Sequence, residues 1–311
     1  MSPEIRRAAE ILRAGGLVAF PTETVYGLGA DASSAAAVAR LYAAKGRPGN
    51  HPVIIHFSSS ENAFAWGTEI PQAARKLAAC FWPGPLTLIL RRSAKAKDFV
   101  TGGQDSVGLR VPSHPVAQQL LREFGGGVAA PSANLFGNLS PTTARHVRDE
   151  FPRQIDLVLD GGSSEVGIES TIVDLAGGEP VLLRPGSISK AQLEEALHSK
   201  VGVKKSSSPR HSGALERHYA PKTPALLVPA YALDAEIARR KSAVAVLAFS
   251  RPDERVDYWI RMPRESRAYA QRLYAALREL DSAGCGAILI EMPPEAAEWD
   301  AIRDRLSRAT G

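Results

Sequence analysis

Short apolar runs alternate along the chain with stretches in which apolar residues recur every three or four positions. Residues 16–20 (GLVAF), 53–57, 86–90, 107–111 and 128–130 read as strands, and so do 157–159, 171–173 and 181–183. Between them, residues 34–44 form an Ala-rich helical pattern opened by Ser34. Residues 71–80, 116–124 and 141–150 repeat that spacing. The first sixteen residues read as an amphipathic helix. Strands interleaved with helices predict an α/β fold with an open, twisted, mixed sheet. No internal repeat is visible.

The pattern changes at Lys204. Residues 204–224 (KKSSSPRHSGALERHYAPKTP) are rich in Ser, Pro and basic residues and lack apolar periodicity, so they read as a linker. The aromatic in His218-Tyr219-Ala220-Pro221 is unusual for a plain tether. Beyond it, strands at 225–228, 244–249 and 287–290 alternate with helices at 233–240, 266–280 and 296–309. That βαβαβα order predicts a small, Rossmann-like parallel sheet. The expected organisation is a catalytic domain at 1–203, a linker or lid at 204–224 and a small α/β domain at 225–311.

Length and composition agree: 311 residues suit two domains, and 44% hydrophobic with 23% charged residues is ordinary for a globular protein. A net charge of +5 is too small and dispersed to argue for nucleic-acid binding alone; it suits a cleft that attracts a small anion. Cys80 and Cys285 stand far apart, without metal-like spacing. No apolar run reaches the length of a membrane span and no signal-peptide core opens the sequence, so a cytoplasmic location is expected.

The chemistry-bearing residues sit at strand ends and turns. Lys45 and Arg47 follow a helix, and both can converge on one polyanion or merely decorate a solvated helix end. His56 closes an apolar run and can be a ligand group or a structural hydrogen-bonder. His51 lacks the partners for a zinc tetrahedron. Ser132 and Asn134 can bind ligand oxygens or cap a turn. Ser140 before Pro141 resembles an N-cap. Glu169-Ser170-Thr171 leads into a strand. No Walker loop, dinucleotide fingerprint or nucleophile elbow is present.

Each motif is weak alone, but their order is specific. PTETVYGLGADA, KGRPGNHPVIIH, FWPGPLTLIL, VGLRVPSHP, APSANLFGNLSPT, GIESTIVD and LLRPG together resemble the YrdC-like threonylcarbamoyl-AMP synthase family over residues 15–186. The tail with SGALERHYAPKTP resembles its two-domain form. Hydrogenase-maturation carbamoyltransferases share such a module, but two cysteines cannot supply their zinc fingers.

The resemblance implies an open twisted sheet with a deep basic cleft. It also implies synthesis of threonylcarbamoyl-adenylate from L-threonine, bicarbonate (or CO2) and ATP, releasing pyrophosphate. By motif, Lys45 and Arg47 would be catalytic. Arg47, His51, Ser106, Ser132, Asn134, Ser140, Arg184 and Tyr219 would bind ATP. Thr24, His56, Arg110, Ala130 and Ser170 would hold threonine. Mg2+ would arrive on the triphosphate, with no protein ligand assigned. A separate transferase complex would then carry the product to tRNA. A tRNA-binding module without chemistry, or a transferase using carbamoyl phosphate, are the competing classes. Arg and Lys that do not interleave with aromatics count against the module.

Overall fold

The computed structural model describes residues 2–203, 208–213 and 217–311. Ten strands form the larger sheet: β1 (Val18–Phe20), β2 (Gly27–Asp31), β3 (Ile54–His56), β4 (Leu86–Arg91), β5 (Ser106–Arg110), β6 (Val128–Ala129), β7 (Leu157–Val158), β8 (Thr171–Asp174), β9 (Val181–Arg184) and β10 (Gly202–Val203). Their spatial order is β10-β9-β8-β4-β5-β3-β6-β2-β1-β7, with parallel and antiparallel pairs mixed. The mixed α/β architecture expected from the sequence is the one observed.

A second sheet comprises β11 (Ala225–Val228), β12 (Val244–Ala248), β13 (Tyr258–Arg261) and β14 (Ala287–Glu291), ordered β11-β14-β12-β13 and wholly parallel. Helix Leu233–Ala238 covers one face through Leu233 and Ile237. Helices Ser266–Asp281 and Asp300–Thr310 cover the other. Leu273, Tyr274, Leu277, Ile302 and Leu306 join Val25, Leu139, Ile168 and Tyr219 in one apolar cluster, so the second sheet's helices pack against the first unit.

The expected βαβαβα pattern omitted β13. Only Ile260 of that strand is fully buried, because it is an edge strand flanked by charged residues. β2 escaped for another reason. Its sequence, Gly-Leu-Gly-Ala-Asp, has low strand propensity. It lies in mid-sheet because the Phe20 ring occupies the space a side chain would need. A Cβ on Gly29 would meet Phe20 Cε1 and Val128 Cγ1, each at 2.9 Å. The helix expected at 141–150 begins at Ala144, where the Thr143 hydroxyl accepts from His146 N at 3.2 Å. Ser140 is therefore no cap. A further helix, Lys190–Leu197, was not among the expected elements; it opens on the capping box Ser189–Gln192.

Gly29→Ala tests the fit at β2. The added methyl should overpack the contact with Phe20 and cost about 1–3 kcal/mol, read as a lower urea midpoint. An unchanged midpoint would show that Phe20 does not require the glycine.

Candidate functional site

The hydrogen-bonding registry brings distant residues to one edge of the large sheet. β3 and β5 run parallel, with His56 opposite Arg110 at their carboxyl ends. β4 runs antiparallel to β5 and places Thr87 opposite Arg110. Ile172 near the start of β8 pairs with Arg184 at the end of β9, which brings Ser170 to the same edge. Around this edge is a cavity of about 520 Å³ of empty space, part of it open to solvent.

Of the residues expected at the site, Thr24, Arg47, His56, Arg110, Ala130, Ser132, Ser170, Arg184 and Tyr219 line this cavity. Lys45, His51, Ser106, Asn134 and Ser140 do not. Ser106 lines a neighbouring cavity that shares Ile54 and Ser212 with the first. His51 sets its ring edge-on against Phe136 at 5.3 Å. Ser140 donates its hydroxyl to Glu169 Oε1 at 2.6 Å.

The solvated helix end considered for Lys45 and Arg47 is overturned. Lys45 is the last residue of helix Ala35–Lys45 and is buried. Its Nζ donates to the carbonyls of Ser132 (2.6 Å) and Asn134. Arg47, also buried, donates Nη2 to Pro52 O at 2.7 Å and lies over the Phe136 ring. Arg184 is tied to Ser170, donating Nε to its carbonyl at 3.0 Å and Nη2 to its hydroxyl at 3.1 Å. Among the described residues, none of these three cations has a carboxylate within ion-pair distance. Burial, and then the charge of Arg47, push the Lys45 ammonium well below its ordinary pKa.

Arg110 differs, because Glu23 faces it. Its Nη2 donates to Glu23 Oε1 at 2.8 Å and to Thr24 Oγ1 at 2.9 Å. Among the described residues its Nη1 makes no hydrogen bond, and remains available to a ligand. Glu23 was not singled out in the sequence. It lies in a quoted motif, but its partner is 87 positions away.

Several buried polar atoms around the cleft lack a partner among the described residues: Arg47 Nε, His56 Nδ1, Asn134 Oδ1 and His218 Nδ1. Buried polar atoms are seldom left so, and three of these side chains, Arg47, His56 and His218, line the cavity. Burial and neighbouring cations push both imidazoles down to about 3, Arg110 acting on His56, and Arg47, Lys45 and Arg184 on His218. Both rings are neutral at physiological pH.

The linker closes the cavity. Ser212, Gly213, His218 and Tyr219 line it, and Arg184 Nη1 donates to Ser212 O at 3.0 Å. The Tyr219 hydroxyl stands 3.4 Å from Arg184 Nη1, and its ring is buried in the cluster shared with the second sheet. Tyr219 therefore anchors the linker to the second unit as well as lining the cavity. Gly213 is required there, since at φ +80° a Cβ would fall 2.0 Å from the Tyr219 hydroxyl. Residues 204–207 and 214–216, Lys204 and Glu216 among them, lie outside the described residues.

Among the described residues, no group of three or more His, Cys, Asp or Glu side chains could hold a metal ion. The two carboxylates at the cleft, Glu23 and Glu169, are engaged by Arg110 and Arg305. The donor set does not fit a metal held by the protein alone. Nor, among these residues, is any helix long and apolar enough to cross a membrane.

Fold and cleft together define an α/β protein with a partly open, cation-rich cleft at the strand ends of its larger sheet. Residues 10–186 match the Sua5–YciO–YrdC family, described as telomere recombination, and residues 188–311 match the threonylcarbamoyl-AMP synthase C-terminal domain. The chain belongs to this Sua5/YrdC family. It is 39% identical to the threonylcarbamoyl-AMP synthase of Pyrococcus abyssi, over 99% of this chain and 94% of that one. Its identity to the Bacillus subtilis protein of the same name is 38%, over 99% and 93%. The crystal structure of Pyrococcus abyssi Sua5 complexed with L-threonine superposes with a TM-score of 0.92 at 37% identity, covering 98% of this chain and 94% of that one. A shorter threonylcarbamoyl-AMP synthase, from Cellvibrio japonicus, is 35% identical over 58% of this chain and 96% of its own length.

The buried imidazoles give a pH prediction. Between about pH 6.5 and 3 the unfolded chain takes up protons that native His56 and His218 refuse. Stability contributed by keeping them neutral is therefore complete above 6.5 and falls as pH falls. The urea midpoint should drop between pH 7 and 5, and less steeply in His56→Gln. Identical slopes would show that His56 is protonated in the folded protein.

Proposed function

We propose that this chain makes threonylcarbamoyl-adenylate from L-threonine, bicarbonate (or CO2) and ATP, as a nucleotidyltransferase that supplies tRNA modification. The observation that carries the reading is the pair Arg47 and Arg184, which line the cavity and are buried with only neutral partners among the described residues, with Lys45 buried behind the Ser132–Asn134 turn. Two buried guanidiniums facing one cavity without a carboxylate call for a polyanion, and a triphosphate provides one.

The threonine amine adds to CO2, giving a carbamate and releasing protons. A carbamate oxygen attacks the α-phosphorus, the bond to the β-phosphate oxygen breaks, and pyrophosphate leaves. No covalent enzyme intermediate is required, in keeping with the lack of a nucleophile motif. Arg110 Nη1 is suited to the threonine carboxylate. His56 Nδ1, unpartnered on a neutral ring, is suited to its hydroxyl or amine. Arg47 and Arg184 offset phosphate charge from fixed positions, which lowers the barrier without reorganisation. Mg2+ enters this reading only as the ion carried on phosphate oxygens, and none of these steps is routed through it. Ser212, Gly213 and Tyr219 would cover the reactants, which matters because carbamate and mixed anhydride are both labile in water. The product would pass to a transferase complex acting on tRNA.

Purified protein with Mg-ATP, threonine and bicarbonate should release pyrophosphate and yield the adenylate, identified by mass. Pyrophosphate release indifferent to both threonine and bicarbonate would sink the reading. Arg47→Ala should weaken ATP binding by about 1.5–3 kcal/mol, measured by calorimetry, whereas wild-type affinity would remove Arg47 from the site. Serine should react poorly and valine worse, since valine leaves polar groups of the pocket unpaired. Equal rates with threonine and valine would refute a hydroxyl-reading pocket.

A further inference from the structure

The second unit reaches the wall of the cleft through Arg305 and Tyr274, which meet at Glu169. Arg305, on the last helix, is fully buried. Its Nε pairs with Glu169 Oε2 at 2.6 Å, and Tyr274 and Ser140 donate to the same carboxylate. Its Nη2 donates to two backbone carbonyls, Pro185 O at 3.0 Å and Glu169 O at 3.4 Å. Each carbonyl is one residue from a side chain lining the cavity: Glu169 precedes Ser170, and Pro185 follows Arg184. The outward guanidinium face lies 5.4 Å from the centre of the Tyr219 ring.

A plain ion pair between two domains would need only the carboxylate. The planar fork does more, because it holds together the backbone on both sides of the Ser170–Arg184 contact and carries the linker's aromatic on its face. We infer that Arg305 is a positioning residue of the reaction, through which the second unit fixes Ser170 and Arg184 in the cleft and seats Tyr219 over it. The inference rests on the synthase reading. The role belongs to the two-part chain; the shorter Cellvibrio japonicus relative matches only 58% of it.

The test uses the full-length chain with Arg305→Lys, Arg305→Met and the double variant Glu169→Gln/Arg305→Met. Lysine can restore the ion pair but cannot also grip both carbonyls. The double variant removes both charges, so no unpaired carboxylate is left to unfold the protein. Thermal unfolding is measured beside kcat and KM for threonine and ATP, normalised to folded protein. Arg305→Lys should melt close to wild type yet lose at least tenfold in kcat/KM for threonine. The folded double variant should show the same loss. If either folded variant works within twofold of wild type, Arg305 only ties the two units together and the inference falls. If wild type itself makes no adenylate, the functional reading fails instead, so the two failures are distinct.

Discussion

Three buried cations without a counter-ion set the terms for the whole molecule. Taking Lys45, Arg47 and Arg184 out of water costs several kcal/mol each unless something replaces the lost hydration. Here the replacement is neutral. Lys45 is held by the Ser132 and Asn134 carbonyls, Arg47 by Pro52 O, and Arg184 by Ser170 and Ser212. Those acceptors come from the segment before β3, the turn after β6, the entry to β8 and the linker. The fold around the cleft is therefore a device for keeping positive charge dry. Stability comes from the apolar clusters elsewhere, and an anion that fills the cleft stabilises the native state by mass action.

The same constraint explains why the carboxylates are where they are. Glu23 and Glu169 each receive a guanidinium, so neither opposes an incoming anion. Burial works to raise the Glu169 carboxyl, and Arg305 and Arg184, with the Ser140 hydroxyl, more than offset it. Buried ion pairs of this kind add little net stability compared with apolar packing, but breaking one side is severe. Their value lies in fixing one arrangement. Arg110 is turned by Glu23 so that Nη1 is spared, and Glu169 is turned so that Ser170 faces Arg184.

Most of the large sheet was legible because its strands are apolar runs bounded by turn residues, as in residues 86–90 and 107–111. What escaped was fixed by partners far away in sequence. β2 carries Gly29 where the Phe20 ring leaves no room for a side chain, and β13 is an edge whose exposed residues hide the pattern. At the site, the motif order located nine lining residues, since motifs gather where strand ends meet. It could not reveal that Lys45 is buried, because burial depends on the Ser132–Asn134 turn folding back over the helix end. Arg305 had no signal: a lone arginine in an amphipathic helix looks the same whether it faces water or Glu169, 136 positions earlier.

The linker shows how far local rules bend where these contacts converge. Tyr219 adopts φ 59°, a left-handed conformation that a bulky residue rarely takes. Such a backbone persists only where its surroundings over-determine it. Here they do: His218 N donates to Arg308 O, Ala220 N donates to Gly137 O, and the ring sits between Arg305 and Tyr274. Gly213 then leaves room for the hydroxyl beside Arg184. Both units must be in place for that set of contacts to exist. A chain that releases Tyr219 loses one wall of the cavity and a partner of Arg184 at once, so access to the cleft and order within it are governed by the same residue.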